Sequence, residues 1–128
     1  MSLFERADFT SHSGVALSWK IDCDALTDDD IETLAQIAGY RIGEYRKVVG
    51  IPRGGLRLAA AMERLPNLNP ADSRVLIVDD VLPTGKSMAE ARMALGDEDG
   101  WWRAVGLVIF ARGCCSSWIR PLFQMPPW

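Results

Sequence analysis

The sequence predicts an α/β protein built on a parallel β-sheet. Three short apolar runs, at residues 48–51, 75–78 and 104–110, alternate with segments whose apolar residues recur at helical spacing. This strand–helix order forces parallel strands with right-handed crossovers, and strands that are apolar throughout are covered by helices on both faces. Because 128 residues suffice for one core and not for two, we expect residues 1–128 to form a single domain.

The N-terminal third precedes this repeating pattern. Residues 1–25 predict short extended pieces with a turn at Ser13 and Gly14. The first helix is the best defined element, since Thr27 is a good N-cap, acidic residues fill the first turn, and Gly43 marks the end. Its apolar stripe consists of Ile31, Leu34, Ala35, Ala38 and Ile42.

The remaining elements follow in strand–helix alternation. The run at 48–51 predicts a buried strand that stops at Pro52, where a loop begins. Further ranges complete the pattern: a helix over 56–65, a strand over 75–78, a helix over 87–95 and a strand over 104–110. In sheets of this kind ligands bind beyond the carboxyl ends of the strands, which points to the loops at 52–55 and 79–87.

Composition limits the classes of partner and compartment. The net charge is −3, which argues against a nucleic-acid backbone as the main partner because phosphate backbones select basic surfaces. No apolar run approaches the roughly 20 residues of a membrane span, and a signal-peptide layout is missing, so we expect a cytoplasmic protein without membrane contact. Cys23, Cys114 and Cys115 are odd in number and predict free thiols rather than a zinc site.

The strongest chemical signal is VLIVDDVLPTGKS, residues 75–87. An apolar strand delivers Asp79 and Asp80 to its carboxyl end, where carboxylates accept hydrogen bonds from a sugar. The turn that follows opens a helix with amides, hydroxyls and an ammonium group suited to a phosphate: Thr84, Gly85, Lys86 and Ser87. A Walker P-loop is excluded, since that motif needs Gly at position 80. The remaining alternative is an acidic strand end before a capped helix.

This segment resembles the phosphoribosyl-diphosphate (PRPP) signature of type I phosphoribosyltransferases. The resemblance implies the parallel-sheet, Rossmann-like type I fold, with Asp79 and Asp80 on the ribose hydroxyls and residues 84–87 on the 5′-phosphate. GIPRGG, residues 50–55, resembles the pyrophosphate loop of the same family. It implies a pyrophosphate site formed by Pro52, Arg53, Gly54 and Gly55. The implied catalytic set is Asp79, Asp80 and Arg53, with Mg²⁺ held near the two acids through PRPP and not by a direct protein ligand.

Two further segments bear on the base. FTSHSGVALSWKID, residues 9–22, is similar to the start of orotate phosphoribosyltransferases and implies base contacts from His12, Lys20 and Ile21. This chain has His12 where that family usually has Lys, and Lys20–Ile21 where it often has an aromatic pair. Trp118 and Ile119 resemble the purine-stacking segment of xanthine–guanine phosphoribosyltransferases. The plain alternatives are a solvated His12 and a Trp118 that caps the core, so the identity of the base stays open.

The family's long mobile loop has no counterpart here. Residues 63–74, ERLPNLNPADSR, contain neither His nor Lys and are too few to form a strand and a lid. We therefore expect a minimal fold without that lid. Two functions remain: transfer of the phosphoribosyl group from PRPP to an orotate-like or purine base with release of pyrophosphate, or a catalytically silent module that binds PRPP or a nucleotide. Five tryptophans in so short a chain predict a homodimer, as is common in the family.

Overall fold

The computed structural model describes residues 2–10, 16–82 and 85–126. The strands in these residues are β1 (Phe4–Thr10), β2 (Ala16–Ile21), β3 (Lys47–Gly50), β4 (Val75–Leu82), β5 (Ala104–Arg112) and β6 (Ile119–Met125). The α-helices are α1 (Asp28–Ile42), α2 (Leu56–Glu63) and α3 (Lys86–Ala94), and short 3₁₀ turns lie at Cys23–Ala25 and Trp101–Arg103. In this part of the chain, no helix has the length and apolar character that crossing a membrane requires.

The central sheet has the strand order β3-β4-β5-β6, and each neighbouring pair is parallel. This confirms the α/β parallel-sheet prediction. Strand β4 continues to Leu82 and therefore includes Asp79 and Asp80, with Asp79 opposite Val108 of β5. The prediction that the strand ends at residue 78 is wrong, because pairing with β5 extends it beyond its apolar run.

Strand β6 was not predicted from the sequence. Its burial alternates irregularly and Pro121 interrupts its capacity to donate hydrogen bonds, which lowers the strand signal. Proline is tolerated here because β6 lies at the edge of the central sheet. Strand β5 also runs two residues beyond its predicted end and finishes at Arg112.

Helix α1 begins and ends where the sequence predicts. The Thr27 hydroxyl accepts a hydrogen bond from the Asp30 amide at 3.1 Å, and the Asp30 carboxylate accepts one from the Thr27 amide at 2.8 Å. This capping box satisfies two amides that the first turn would leave unpaired. At the other end Gly43 has φ +86°, a conformation that glycine adopts at little cost.

Helices cover both faces of the sheet. Leu76 and Ile109 belong to a core cluster with α1 and α2, whereas Ile77 and Val108, the adjacent residues, belong to a second cluster with Met88 of α3. Because side chains alternate between faces along a strand, both faces must be apolar for both to be covered. This explains why the central strands have continuous apolar sequences.

The N-terminal strands β1 and β2 form a separate antiparallel hairpin. The rings of Phe4 and Phe110 meet edge to face at 5.5 Å, and the Trp19 ring lies 4.0 Å from the Arg112 guanidinium. These contacts dock the hairpin on β5. The extended pieces predicted for this region are confirmed, and the predicted turn at 13–14 lies outside the described residues.

The connection between α2 and β4 packs against the end of α1. The Asn67 side-chain amide donates to the carbonyls of Gly39 and Gly43 at 3.0 and 2.8 Å. Leu68 forms an isolated parallel bridge with Tyr45. The connection therefore lies where β4 begins, at the end of the sheet opposite the loops after β3 and β4, as the sequence predicts.

Candidate functional site

The end of β4 presents two adjacent carboxylates. The Asp80 amide donates to Asp79 Oδ1 at 2.8 Å, and the Val81 amide donates to Asp80 Oδ1 at 2.7 Å. Both acids are partly buried, and neither forms an ion pair with a described side chain. The remaining oxygen atoms can accept hydrogen bonds from a ligand.

Asp79 has an unusually weak acidity for a carboxyl group. Burial raises the pKa of Asp79 to about 7, and the neighbouring Asp80 raises it further through its negative charge and a shared hydrogen bond. Near neutral pH the pair therefore alternates between one and two negative charges. A ligand that donates hydrogen bonds to both carboxylates favours the fully ionised form.

The loop after β3 meets this acid pair directly. A Cβ atom on Gly54 would lie 2.3 Å from Asp80 Oδ2, and one on Gly55 would lie 2.3 Å from the Val78 carbonyl oxygen. Only glycine permits so close an approach at these two positions. The Ile51 amide also donates to the Val78 carbonyl at 2.8 Å, and the Pro52–Arg53 peptide is cis. The structure thus brings the two predicted loops into contact.

Arg53 supplies the positive charge on this side of the site. It makes no hydrogen bond or ion pair with a described residue. It lines a cavity of about 310 Å³ that it shares with Gly54, Asp80 and Cys23. A guanidinium group beside a carboxylate in a cavity suits a ligand that carries both hydroxyl and phosphate groups.

The second anion site lies at the start of α3. Gly85 is the N-cap with φ +84° and offers no side chain to the helix amides, and α3 begins at Lys86, one residue before the predicted start. Lys86 and Ser87 are exposed, and Lys86 makes no ion pair with a described residue. The first amides of such a helix are available to an anion. Thr84, predicted as a fourth member, lies outside the described residues.

Solved structures share this arrangement of sheet and loops, although no protein-family model and no curated protein significantly matches the sequence. Orotate phosphoribosyltransferase from Aeropyrum pernix matches with a TM-score of 0.71 and 26% identity, over 87% of this chain and 76% of that chain. The chain has the type I phosphoribosyltransferase fold. This confirms the fold predicted from the sequence and its resemblance to orotate phosphoribosyltransferases.

Two more structures match over most of their length. Mycobacterium tuberculosis orotate phosphoribosyltransferase in complex with PRPP has a TM-score of 0.67 and 19% identity, over 94% of this chain and 89% of that chain. A phosphoribosyltransferase from Corynebacterium diphtheriae has a TM-score of 0.62 and 17% identity, over 93% and 89% of the two chains. At these identities the comparison shows the fold, and this chain is a small version of it.

Within this type I fold, the residues predicted to contact a base fall into two separate places. Ile21 packs against the core on the α1 and α2 face, and the Lys20 ammonium pairs with Glu5 at 3.1 Å. Trp118 and Ile119 pack on the α3 face. His12 lies outside the described residues. The structure therefore does not join the orotate-like and purine-like residues into one pocket.

Trp118 has a neighbour that the sequence did not indicate. The Arg92 guanidinium lies 4.8 Å from the Trp118 ring and 5.2 Å from the Trp101 ring. Its Nε also donates to the Trp101 carbonyl at 3.0 Å. Such cation–π contacts stabilise the loop that carries Trp118 and give this residue a structural role beside any contact with a base.

Sequence reasoning missed two arginines of this type I site. Arg57 lines the cavity with Arg53 and donates to the Leu26 carbonyl at 2.8 Å. Arg112 ends β5, is 6% exposed and donates to the Trp19 carbonyl, and burial lowers its pKa. The signal for Arg112 was available, because a polar residue directly after an apolar strand was the pattern that identified Asp79.

Proposed function

We propose that this chain binds PRPP and transfers its phosphoribosyl group to an orotate-like nucleobase, with release of pyrophosphate. The observation that supports this most is the contact between the Asp80 carboxylate and Gly54, since it joins an acid pair suited to ribose with a glycine loop that carries Arg53. The likeness to a phosphoribosyltransferase solved with PRPP agrees with this proposal.

The site divides into three parts for PRPP. The ribose 2′- and 3′-hydroxyls donate to the carboxylates of Asp79 and Asp80. The 5′-phosphate binds the amides at the start of α3, with Lys86 as a positive charge. The pyrophosphate lies along the loop at residues 52–55, beside the guanidinium of Arg53. Strands on both sides hold β4 in place, so the acids are fixed before PRPP arrives.

The reaction is a displacement at C1 of the ribose. A ring nitrogen of the base forms a bond to C1 while the bond from C1 to the pyrophosphate oxygen breaks, with inversion and a transition state of oxocarbenium character. Arg53 stabilises the negative charge that grows on the departing pyrophosphate. An acidic ring N–H, as in orotate or xanthine, loses its proton readily and needs no strong general base from the chain. The protein contributes positioning and electrostatic stabilisation.

The donor set fits the Mg²⁺ that accompanies PRPP. Carboxylate oxygens are suitable ligands for Mg²⁺, and Asp79 and Asp80 lie at the open end of the strand without a cation partner among the described residues. The described residues contain no cluster of three or more His, Cys, Asp or Glu that could hold a metal alone. This agrees with an ion bound mainly through substrate oxygens. When bound, it neutralises charge on the pyrophosphate.

The second candidate is a catalytically silent module that binds PRPP or a nucleotide. One observation favours it: the connection after α2 packs against α1 through Asn67 and supplies no Lys or His to the carboxyl ends of the strands. Without a lid, water is not excluded from the reacting atoms and the leaving group is less firmly held.

Two measurements on one sample separate these functions. Calorimetry with PRPP and Mg²⁺ measures binding, and a pyrophosphate-release assay with orotate, uracil, xanthine, guanine and hypoxanthine measures transfer. Binding with release on one of these bases supports the transferase. Binding without release on any of them supports the module, and absence of binding contradicts both.

We also propose that the protein is a cytoplasmic homodimer. The free thiols at Cys23, Cys114 and Cys115 suit a reducing compartment. Large apolar side chains remain exposed, including Phe4 at 47% and Phe123 at 45%, and a self-contact would bury them. Light scattering at micromolar concentration is expected to give twice the chain mass of 14.2 kDa. A monomer mass contradicts the dimer.

A further inference from the structure

Two adjacent thiols share a cavity with the start of α3. Cys114 and Cys115 line a space of about 310 Å³ together with Gly85 and Lys86. Trp118 and Ile119 form another part of its wall. The proposed phosphate site uses the same glycine and lysine, so whatever occupies the thiol side of this cavity lies next to the bound phosphate.

The loop that carries the thiols is held at both ends. The Gln124 side chain donates to the carbonyls of Ala111 and Gly113 before the pair, and the Ile119 amide donates to the Ser116 carbonyl at 3.0 Å after it. Cys115 is partly buried with its sulfur 3.8 Å from the Ile119 carbonyl oxygen, whereas Cys114 is exposed. A group attached to either sulfur therefore remains at the cavity.

The third thiol provides an internal contrast. Cys23 is 7% exposed, and burial raises its pKa to about 12, with the charge of Asp80 as the next cause. A thiol is nucleophilic only as the thiolate, so Cys23 is inert at neutral pH. Exposure gives the other two thiols access to reagents that cannot reach Cys23.

We propose that Cys114 and Cys115 form a thiol-modification site that takes a small anionic disulfide, such as oxidised glutathione, and that the adduct blocks the phosphate site. This inference rests on the proposed binding of PRPP. Lys86 attracts the carboxylates of such a disulfide into the cavity. The adduct then fills most of the space and places negative charge where the 5′-phosphate binds, so both volume and charge oppose PRPP.

The step is a thiol–disulfide exchange. The cysteine sulfur, as thiolate, attacks one sulfur of the disulfide and forms a new S–S bond, while the original S–S bond breaks. The departing half leaves as a thiolate and takes up the proton that the cysteine gave up. The disulfide is the oxidant, the cysteine is oxidised, and an excess of a reducing thiol reverses the reaction.

The first test is protection from labelling. The full chain is incubated with oxidised glutathione with and without inorganic phosphate, and the tryptic peptides are analysed by mass spectrometry. The adduct is expected on the peptide that begins at Gly113 and not on the peptide with Cys23, and phosphate is expected to slow its formation at least fivefold. Labelling of Cys23 instead, or labelling at the pair with a rate unchanged by phosphate, overturns the proposal.

The second test is PRPP affinity. Glutathionylation is expected to weaken PRPP binding at least tenfold, and dithiothreitol is expected to restore it. The Cys114→Ser/Cys115→Ser variant should bind PRPP like the parent and lose this sensitivity, whereas Cys23→Ser should keep it. If the unmodified chain does not bind PRPP, the proposed function fails. If it binds and the adduct leaves affinity unchanged, only the present proposal fails.

Discussion

The two ends of the parallel sheet use charged residues in opposite ways. Where the strands begin, basic side chains are paired: Arg46 and Lys47 both contact Asp99, at 3.3 and 2.9 Å. The hydrogen bond from Lys47 lowers the pKa of Asp99, as expected for a carboxylate that is stabilised in its charged form. Arg74 completes this end by donating to the carbonyls of Ile42 and Glu44.

Where the strands end, the corresponding charges have no protein partner. Asp79, Asp80, Arg53 and Lys86 form no ion pair with any described side chain. The pKa of Asp79 is raised to about 7, the opposite of the shift at Asp99. Charges left partly buried and unpaired destabilise the folded chain, so their arrangement indicates selection for a ligand rather than for stability.

The largest effect is expected from removing both carboxylates. Asp79→Asn with Asp80→Asn should weaken PRPP binding at least a hundredfold, about 2.7 kcal/mol, because the ribose hydroxyls lose their charged acceptors. Thermal unfolding should show equal or greater stability, since repulsion between like charges is removed. Asp72→Asn, at the opposite end of the sheet, serves as the control for calorimetry. Unchanged affinity in the double variant would falsify the ribose assignment.

A smaller loss is expected when the contact between the two loops is disturbed. In Gly54→Ala the new methyl group would meet Asp80 Oδ2 at 2.3 Å, so the carboxylate or the loop must move. PRPP affinity should fall about tenfold, a difference of about 1.4 kcal/mol. Calorimetry together with a crystal structure of the variant checks this. An unmoved Asp80 with full affinity would show that the loops act independently.

The predictability of these two ends differs for a physical reason. Local patterns were enough for the α1 capping box at Thr27 and Asp30, for the apolar strands and for the acid pair. The end of β4 was placed too early, and β6 was missed, because strand length depends on pairing with a neighbour that lies far away in sequence. Cavity-lining residues such as Arg57 and Arg112 depend on packing between elements, which periodicity does not encode.

The pH dependence of stability provides a test at intermediate scale. The folded-state pKa of Asp79 is raised from 3.8 to about 7, so the folded chain binds a proton there that the unfolded chain has lost. Its contribution to stability is therefore complete below pH 4 and declines as the pH rises towards 7. Urea unfolding of the parent and Asp79→Asn from pH 4 to 8 should show the parent losing stability relative to the variant across this range. A constant difference contradicts the raised pKa.

The smallest effect on binding is expected at the opposite end of the sheet. Arg74→Ala removes the donor that serves the Ile42 and Glu44 carbonyls and the ion pair with Asp72, so it should lower the free energy of unfolding by about 1–2 kcal/mol. Arg64→Ala, the control, loses an exposed ion pair with Glu32 and should cost about 0–1 kcal/mol.

Neither change should alter PRPP affinity or pyrophosphate release by more than about threefold, roughly 0.7 kcal/mol, because the connection that contains both arginines packs against the end of α1 and not over the loops after β3 and β4. Stability measured by urea unfolding and PRPP affinity measured by calorimetry should therefore change independently. A hundredfold loss of pyrophosphate release in Arg74→Ala, with PRPP affinity retained, would mean that this connection reaches the reacting atoms during turnover. The division of charged residues between the two ends of the sheet would then be wrong.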